Sequence, residues 1–330
     1  MRMSAILLIS AAMALASGSS QAGDLTVLDG ESASTPIDST TQTEDVTFKN
    51  DGYERMTVSV TVSETGPYQF LVDTGADRTA VSQVLADRLR LIRSAPVRLH
   101  SVAGVSDVQT ASLPSLRLTS SSIRVDRAAV LSDTNMGADG ILGADSLQSQ
   151  RIEFDFKANR MSVVPATVTI QAKSSDPDAI VITAKRKNGR LVLTSARADN
   201  NVVRVVLDTG SQITIGNEAL RRRLLRSHGA SERGGSVQIR SVTGELIEGE
   251  YLVLGRLEIG GATLSNVAIV FADAHTFKQL NLDRRPAMLL GMNAMRAFDK
   301  VSIDFANKKL RLIPPRHSDS GAVQVASRLP

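Results

Sequence analysis

The chain has no cysteine and no tryptophan, and aromatic residues make up only 3% of its 330 positions. Without cysteine there can be no disulfide, no thiolate nucleophile and no thiolate-ligated metal. With so few aromatics, the cores have to be built from Val, Leu, Ile and Ala. Charge is nearly balanced, 38 basic against 34 acidic residues for a formal +4. No Lys/Arg stretch is interleaved with aromatics, so nothing points to nucleic acid as a partner. The four histidines, His100, His228, His275 and His317, are scattered and lack metal-ligand spacing. They read as surface or packing residues, and neither metal nor cofactor is expected. A Gly-x-Ser-x-Gly elbow and a phosphate-binding loop are also missing.

Long apolar runs are lacking as well. The longest, Ala5 to Ala16, is broken only by Ser10 and is too short to span a bilayer. It follows Arg2 and precedes the small residues of Ser20-Gln21-Ala22, the pattern of a cleavable signal peptide cut near Ala22. No cysteine follows, which argues against a lipid anchor. The expected location is the periplasm or the exterior, without stable membrane insertion after cleavage.

What the chain does contain is a repeat. Asp-Thr-Gly occurs twice, as Asp73-Thr74-Gly75 and Asp208-Thr209-Gly210, each behind an apolar strand-like run. One copy alone would be weak evidence, being expected at about 0.1 per chain of this composition. The repetition extends further, however. Ser101-Val102-Ala103-Gly104 is echoed by Ser241-Val242-Thr243-Gly244, and Ile141-Leu142-Gly143 by Leu289-Leu290-Gly291. Ile152-Glu153-Phe154-Asp155-Phe156 is echoed by Val301-Ser302-Ile303-Asp304-Phe305. Landmarks recurring in one order mean an internal duplication into two domain-sized units.

Turn signals give each unit the same grammar. Lys49-Asn50-Asp51-Gly52 and Glu64-Thr65-Gly66-Pro67 bracket an alternating strand over 56–62, and a further strand runs into Asp73. Lys187-Asn188-Gly189-Arg190 predicts a hairpin, and a polar turn at Asp199-Asn200-Asn201 precedes the strand into Asp208. Ser82 and Asn217 are plausible N-caps of short helices. The expected organisation is a signal peptide over 1–22, an unstructured lead-in over 23–45, one half over 46–171 and a linker over 172–178. The second half covers 179–314, and an unstructured tail 315–330.

Two such turns facing one another would hold two carboxylates around one water, the requirement for acid–base hydrolysis without metal or covalent intermediate. Like charges in a partly dry cleft repel, so the pair shares one proton and titrates as a unit. Gly75 and Gly210, lacking side chains, let backbone N–H groups approach the carboxylates. Asp139, Asp145 and Asn293 read as turn or capping residues. Arg221-Arg222-Arg223 with Arg226 reads as a solvated helix face.

Phe70-Leu71-Val72-Asp73-Thr74-Gly75-Ala76-Asp77 resembles the active-site loop of retroviral aspartic proteases. Asp208-Thr209-Gly210-Ser211 resembles the variant shared by pepsins and other retropepsins. Asp139-Gly140-Ile141-Leu142-Gly143 and Leu289-Leu290-Gly291-Met292-Asn293 look like the glycine element that threads behind each active-site loop. Over most of 46–314 the chain is similar to bacterial periplasmic single-chain retropepsin-like proteases, in which two tandem halves replace a homodimer. The resemblance implies an all-β fold: two retropepsin-like β-barrel halves in pseudo-twofold arrangement, with short helices. It implies an exported aspartic endopeptidase acting on polypeptides as a monomer, with Asp73 and Asp208 as the catalytic pair. Thr74 and Thr209 would cross-link the loops. Val102, Ala103, Gly104, Val242, Thr243 and Gly244 would form two substrate-covering flaps. Ser211 is expected to donate to Asp208 while Ala76 offers Asp73 nothing equivalent, an asymmetry that predicts a raised working pH. The alternatives are an inactive peptide-binding module of the same fold and an interaction scaffold.

Overall fold

A computed structural model describes residues 55–118, 122–147, 150–165, 178–228 and 235–315, with the short strand segments 6–8, 14–15, 44–50 and 322–324. Strands dominate because β-branched residues alternate with polar ones between closely spaced turns. Two short strands near the N-terminus, β1 (Ile6–Leu8) and β2 (Ala14–Leu15), precede the first half. That half runs β3 (Glu44–Asn50), β4 (Met56–Val62), β5 (Thr65–Val72), β6 (Ala80–Ser82), α1 (Gln83–Arg88) and β7 (Arg93–His100). It continues through β8 (Val105–Arg117), β9 (Ser122–Leu131), α2 (Asp133–Met136), β10 (Gly140–Leu142), α3 (Ala144–Leu147), β11 (Gln150–Asp155) and β12 (Arg160–Pro165).

The second half repeats the series. After β13 (Ile180–Thr183) and β14 (Lys185–Lys187) come β15 (Arg190–Ala198), β16 (Asn201–Leu207), β17 (Thr214–Gly216), α4 (Glu218–His228) and β18 (Ser236–Arg240). There follow β19 (Leu246–Ile259), β20 (Ala262–Ala272), α5 (His275–Gln279), β21 (Ala287–Leu290), α6 (Met292–Met295), β22 (Lys300–Asp304), β23 (Lys309–Ile313) and β24 (Ala322–Gln324).

The predicted Asn-Gly hairpin joins β14 to β15, with Asn188 and Gly189 at φ 46° and 79°. Ser82 caps α1, accepting from the Leu85 N–H at 3.0 Å, and Asn217 accepts from the Leu220 N–H at 2.9 Å. The turn expected over Glu64–Pro67 falls slightly earlier. Ser63 and Glu64 take left-handed φ angles of 49° and 62°, and Thr65 already opens β5. The 315–330 tail, expected without structure, contributes β24, which pairs in parallel with β20. The turn at Asp51-Gly52 and most of the linker lie outside the described residues.

In each half the strand leading into the glycine of the glycine element is sandwiched between the two strands flanking the Asp-Thr-Gly loop. β10 pairs in parallel with β5 and antiparallel with β6; β21 does the same with β16 and β17. Central strands of this kind are buried on both faces, which explains their unbroken apolar sequences. A Cβ on Gly143 or Gly291 would lie 2.4 or 2.5 Å from the backbone of Arg78 or Ile213. Only glycine allows that crossing. The halves are joined by one antiparallel sheet in the order β13-β23-β22-β11-β12-β3. At its centre β11 meets β22, with Lys300 3.0 Å from Asp155. One apolar core runs from Met56 and Phe70 through Phe154 and Val301 to Leu264 and Phe298. Among the described residues no helix is long and apolar enough to cross a membrane.

Candidate active site

β5 ends at Asp73 and β16 at Asp208, and both aspartates are fully buried between the halves. Each loop is tied to the glycine element behind it. Asp73 N–H donates to the Leu142 carbonyl at 3.0 Å, and Asp208 N–H to that of Leu290 at 3.1 Å. The threonines then lock the loops together. Thr74 Oγ1 accepts from the Thr209 N–H at 3.1 Å and donates to the Leu207 carbonyl at 3.1 Å. Thr209 Oγ1 accepts from the Thr74 N–H at 3.0 Å and donates to the Val72 carbonyl at 2.6 Å. This reciprocal grip leaves neither loop free to move without the other.

The glycines bring the carboxylates together. A Cβ on Gly75 would lie 2.5 Å from Asp208 Oδ1, and one on Gly210 2.3 Å from Asp73 Oδ2. Each carboxylate therefore rests on the opposite loop's bare backbone. Asp73 Oδ1 accepts from the N–H groups of Gly75 and Ala76 at 2.8 and 3.0 Å. Burial pushes Asp73 from the ordinary 3.8 up to about 6, against these two N–H groups and the cations Arg190 and Arg55. Burial and the Asp73 charge push Asp208 well above the carboxylate range. One proton shared by the pair is the stable arrangement.

Ser211 departs from the sequence expectation. Its hydroxyl donates to the Ile213 carbonyl at 2.7 Å rather than to Asp208, and its N–H to the Asp208 backbone carbonyl at 3.4 Å. The hydroxyl asymmetry with Ala76, and the raised working pH drawn from it, thereby lose their basis. Asp145 and Asn293 brace the loops from behind. Asp145 Oδ1 accepts from Thr79 Oγ1 at 2.8 Å, and Asn293 Oδ1 from the N–H and hydroxyl of Thr214, both at 2.9 Å. Asp139 accepts from the Gln69 N–H at 2.8 Å.

One hairpin from each half packs its tip against the other half. The β7–β8 tip carries Val102, Ala103 and Gly104; the β18–β19 tip carries Val242, Thr243 and Gly244. Each tip valine is buried in the other half. Val102 packs among Val206, Ile213 and Phe277, and Val242 among Leu71, Ala80 and Ile141. Matches to protein families fall on the same two units. The gag-polyprotein aspartyl protease family matches residues 58–149, and the Aspartyl protease family matches residues 194–294. The chain belongs to the retropepsin-like aspartic proteases, in two halves. No curated protein matches it.

Several residues of this protease escaped the sequence reading. Arg190, fully buried at the start of β15, reaches across to the first half. It donates to the Gly75 carbonyl, to Gln279 Oε1 at 3.0 Å and to Asp77 Oδ1 at 3.2 Å. Burial raises Asp77 to about 6 despite this partner. Arg55, also fully buried, donates to the Met136 carbonyl at 2.8 Å. The repeat held the clue, because 190 − 55 equals 208 − 73, both 135. Two of the histidines are not isolated either: His100 Nδ1 lies 2.8 Å from His275 Nε2 across the two halves. The arginines of α4 are engaged locally, Arg221 with Glu250 and Glu218, and Arg226 with the Arg222 carbonyl.

Proposed function

We propose that the protein is an exported aspartic endopeptidase that hydrolyses peptide bonds as a monomer, with Asp73 and Asp208 as its catalytic dyad. The observation carrying this is the reciprocal threonine grip beneath two fully buried carboxylates, each seated on the other loop's glycine. A single chain supplies both loops, so no second copy is needed. Asp73, stabilised as an anion by two N–H donors, takes a proton from a water as it attacks the scissile carbonyl. Asp208, the member with the more strongly raised pKa, is the protonated partner. It donates to the carbonyl oxygen where negative charge develops. The flaps exclude bulk water and hold an extended peptide against the dyad. The N-terminal apolar segment supports export by a cleavable leader.

The test compares the purified chain with Asp208→Asn on a diverse peptide library across about pH 4 to 8. Cleavage by the wild type alone supports the dyad. Equal cleavage by both variants refutes it. Peptide binding without cleavage by either would indicate a binding module.

A further inference from the structure

The two flaps are anchored differently. His100 is the last residue of β7, at the base of the first flap tip, and His275 is the first residue of α5 in the other half. Their facing nitrogens are 2.8 Å apart, and the rings stack with centroids 5.1 Å apart and 20° between planes. Beside them the His275 N–H donates to the Val102 carbonyl at 2.7 Å. The first flap thus docks through a buried valine, one backbone bond and one imidazole pair. The second flap has Arg240 where the first has His100, and that guanidinium turns back to the Gly244 carbonyl at 3.5 Å. The two tips also touch, with Ser106 Oγ donating to Glu245 Oε1 at 3.1 Å. Only the first flap carries an imidazole clasp onto the opposite half.

An N–H···N bond requires one ring to donate and the other to accept. It survives while at least one ring is neutral. Once both are imidazolium, hydrogens occupy both facing nitrogens and two stacked cations repel. The surrounding charges add to that repulsion. Arg98 on β7, Arg190 on β15 and Lys278 on α5 face the pair, and Asp273 is the nearby acid. Asp107 lies opposite Arg98 in the strand register, and Glu245 sits on the second tip.

We infer that His100 and His275 are positioning residues that clamp the first flap onto the second half, and that acid releases the clamp. Burial first, then the neighbouring cations, hold both imidazoles below their ordinary 6.5 in the closed state. The sign follows from that depression. A ring released to solvent regains the ordinary value, so the closed state is favoured above it and weakens as pH falls through the depressed range. Acidification therefore opens one side of the cleft, while the other flap, with Arg240 in place of His100, has no imidazole to protonate.

Because the chain has no cysteine, an Ala103→Cys substitution in the full chain accepts a single nitroxide label at the flap tip. Its mobile fraction, read by electron paramagnetic resonance, should be small at pH 7.5. It should rise roughly tenfold by pH 5, the scale of one lost hydrogen bond plus repulsion. In His100→Gln/His275→Gln the fraction should not depend on pH, and in His275→Phe it should be high throughout. A transition unchanged in the double variant, or an immobile wild-type tip at every pH, overturns the proposal. Should the double variant not fold, histidine NMR on the wild type decides. Two rings titrating as a coupled pair below 6.5 support the clamp, and independent titration at the ordinary value overturns it. The clasp bears on function through the peptide-cleft reading, but the label reports flap position without turnover. Failure of the dyad would show separately, in Asp208→Asn.

Discussion

Replacing Thr74 with valine probes the grip at nearly constant shape. The hydroxyl lost is fully engaged, accepting from the Thr209 N–H and donating to the Leu207 carbonyl, both at 3.1 Å. Thr74, Thr209 and Leu207 are each 1% exposed, so water cannot replace the missing partner without the loops separating. Each buried group left unpaired costs roughly 1–3 kcal/mol, giving about 2–6 kcal/mol for Thr74→Val. Thr209→Val removes the matching pair of bonds to Thr74 N–H and the Val72 carbonyl and should cost about as much. The double variant should cost less than the sum, because loops already parted admit water to all four groups. Thr74→Ser keeps the hydroxyl and should lose less than about 1 kcal/mol. Urea unfolding in an Asp208→Asn background, which prevents self-digestion, reads all four variants. If Thr74→Val matches Thr74→Ser within about 0.5 kcal/mol, the grip does not hold the halves together and the reasoning fails.

Gly210→Ala places a Cβ 2.3 Å from the Asp73 carboxylate, so kcat should fall at least about 100-fold through displacement of the dyad; an unchanged kcat would refute this. Arg190→Met removes a cation that lowers both dyad aspartates. The base then ionises at higher pH, and the acid limb of the kcat/KM profile should move upward; a stationary limb counts against a role for Arg190 in tuning the site. Stability should also fall as pH rises. Asp73 and Asp77 go from an ordinary 3.8 when unfolded to about 6 when folded, so their contribution is complete below 3.8 and lost through about 6. The urea midpoint should be higher at pH 4 than at pH 7, and a rise over that interval would contradict the burial of these acids.

The sequence by itself determined the duplication, the two aspartate loops and the strand-dominated fold. These are local properties. Turn residues such as Asn188-Gly189 fix backbone angles, apolar alternation fixes strands, and a tight carboxylate turn is spelled by three consecutive residues. Ser82 and Asn217 were legible as caps for the same reason, since a cap bonds within its own first turn. Tertiary structure decided the choice among nearby partners and, apart from the threonine cross-link that the family resemblance implied, what crosses between the halves. The Ser211 hydroxyl, read from its neighbours, was assigned to Asp208, but the folded loop offers it the nearer Ile213 carbonyl. Arg190 stands 115 residues from the Gly75 carbonyl it holds, and His100 stands 175 from His275. Such pairs are set by how two sheets close on one another, and spacing along the chain carries no trace of that closure. The common offset of Arg55 and Arg190 marked them as a pair, but only the fold supplied their partners.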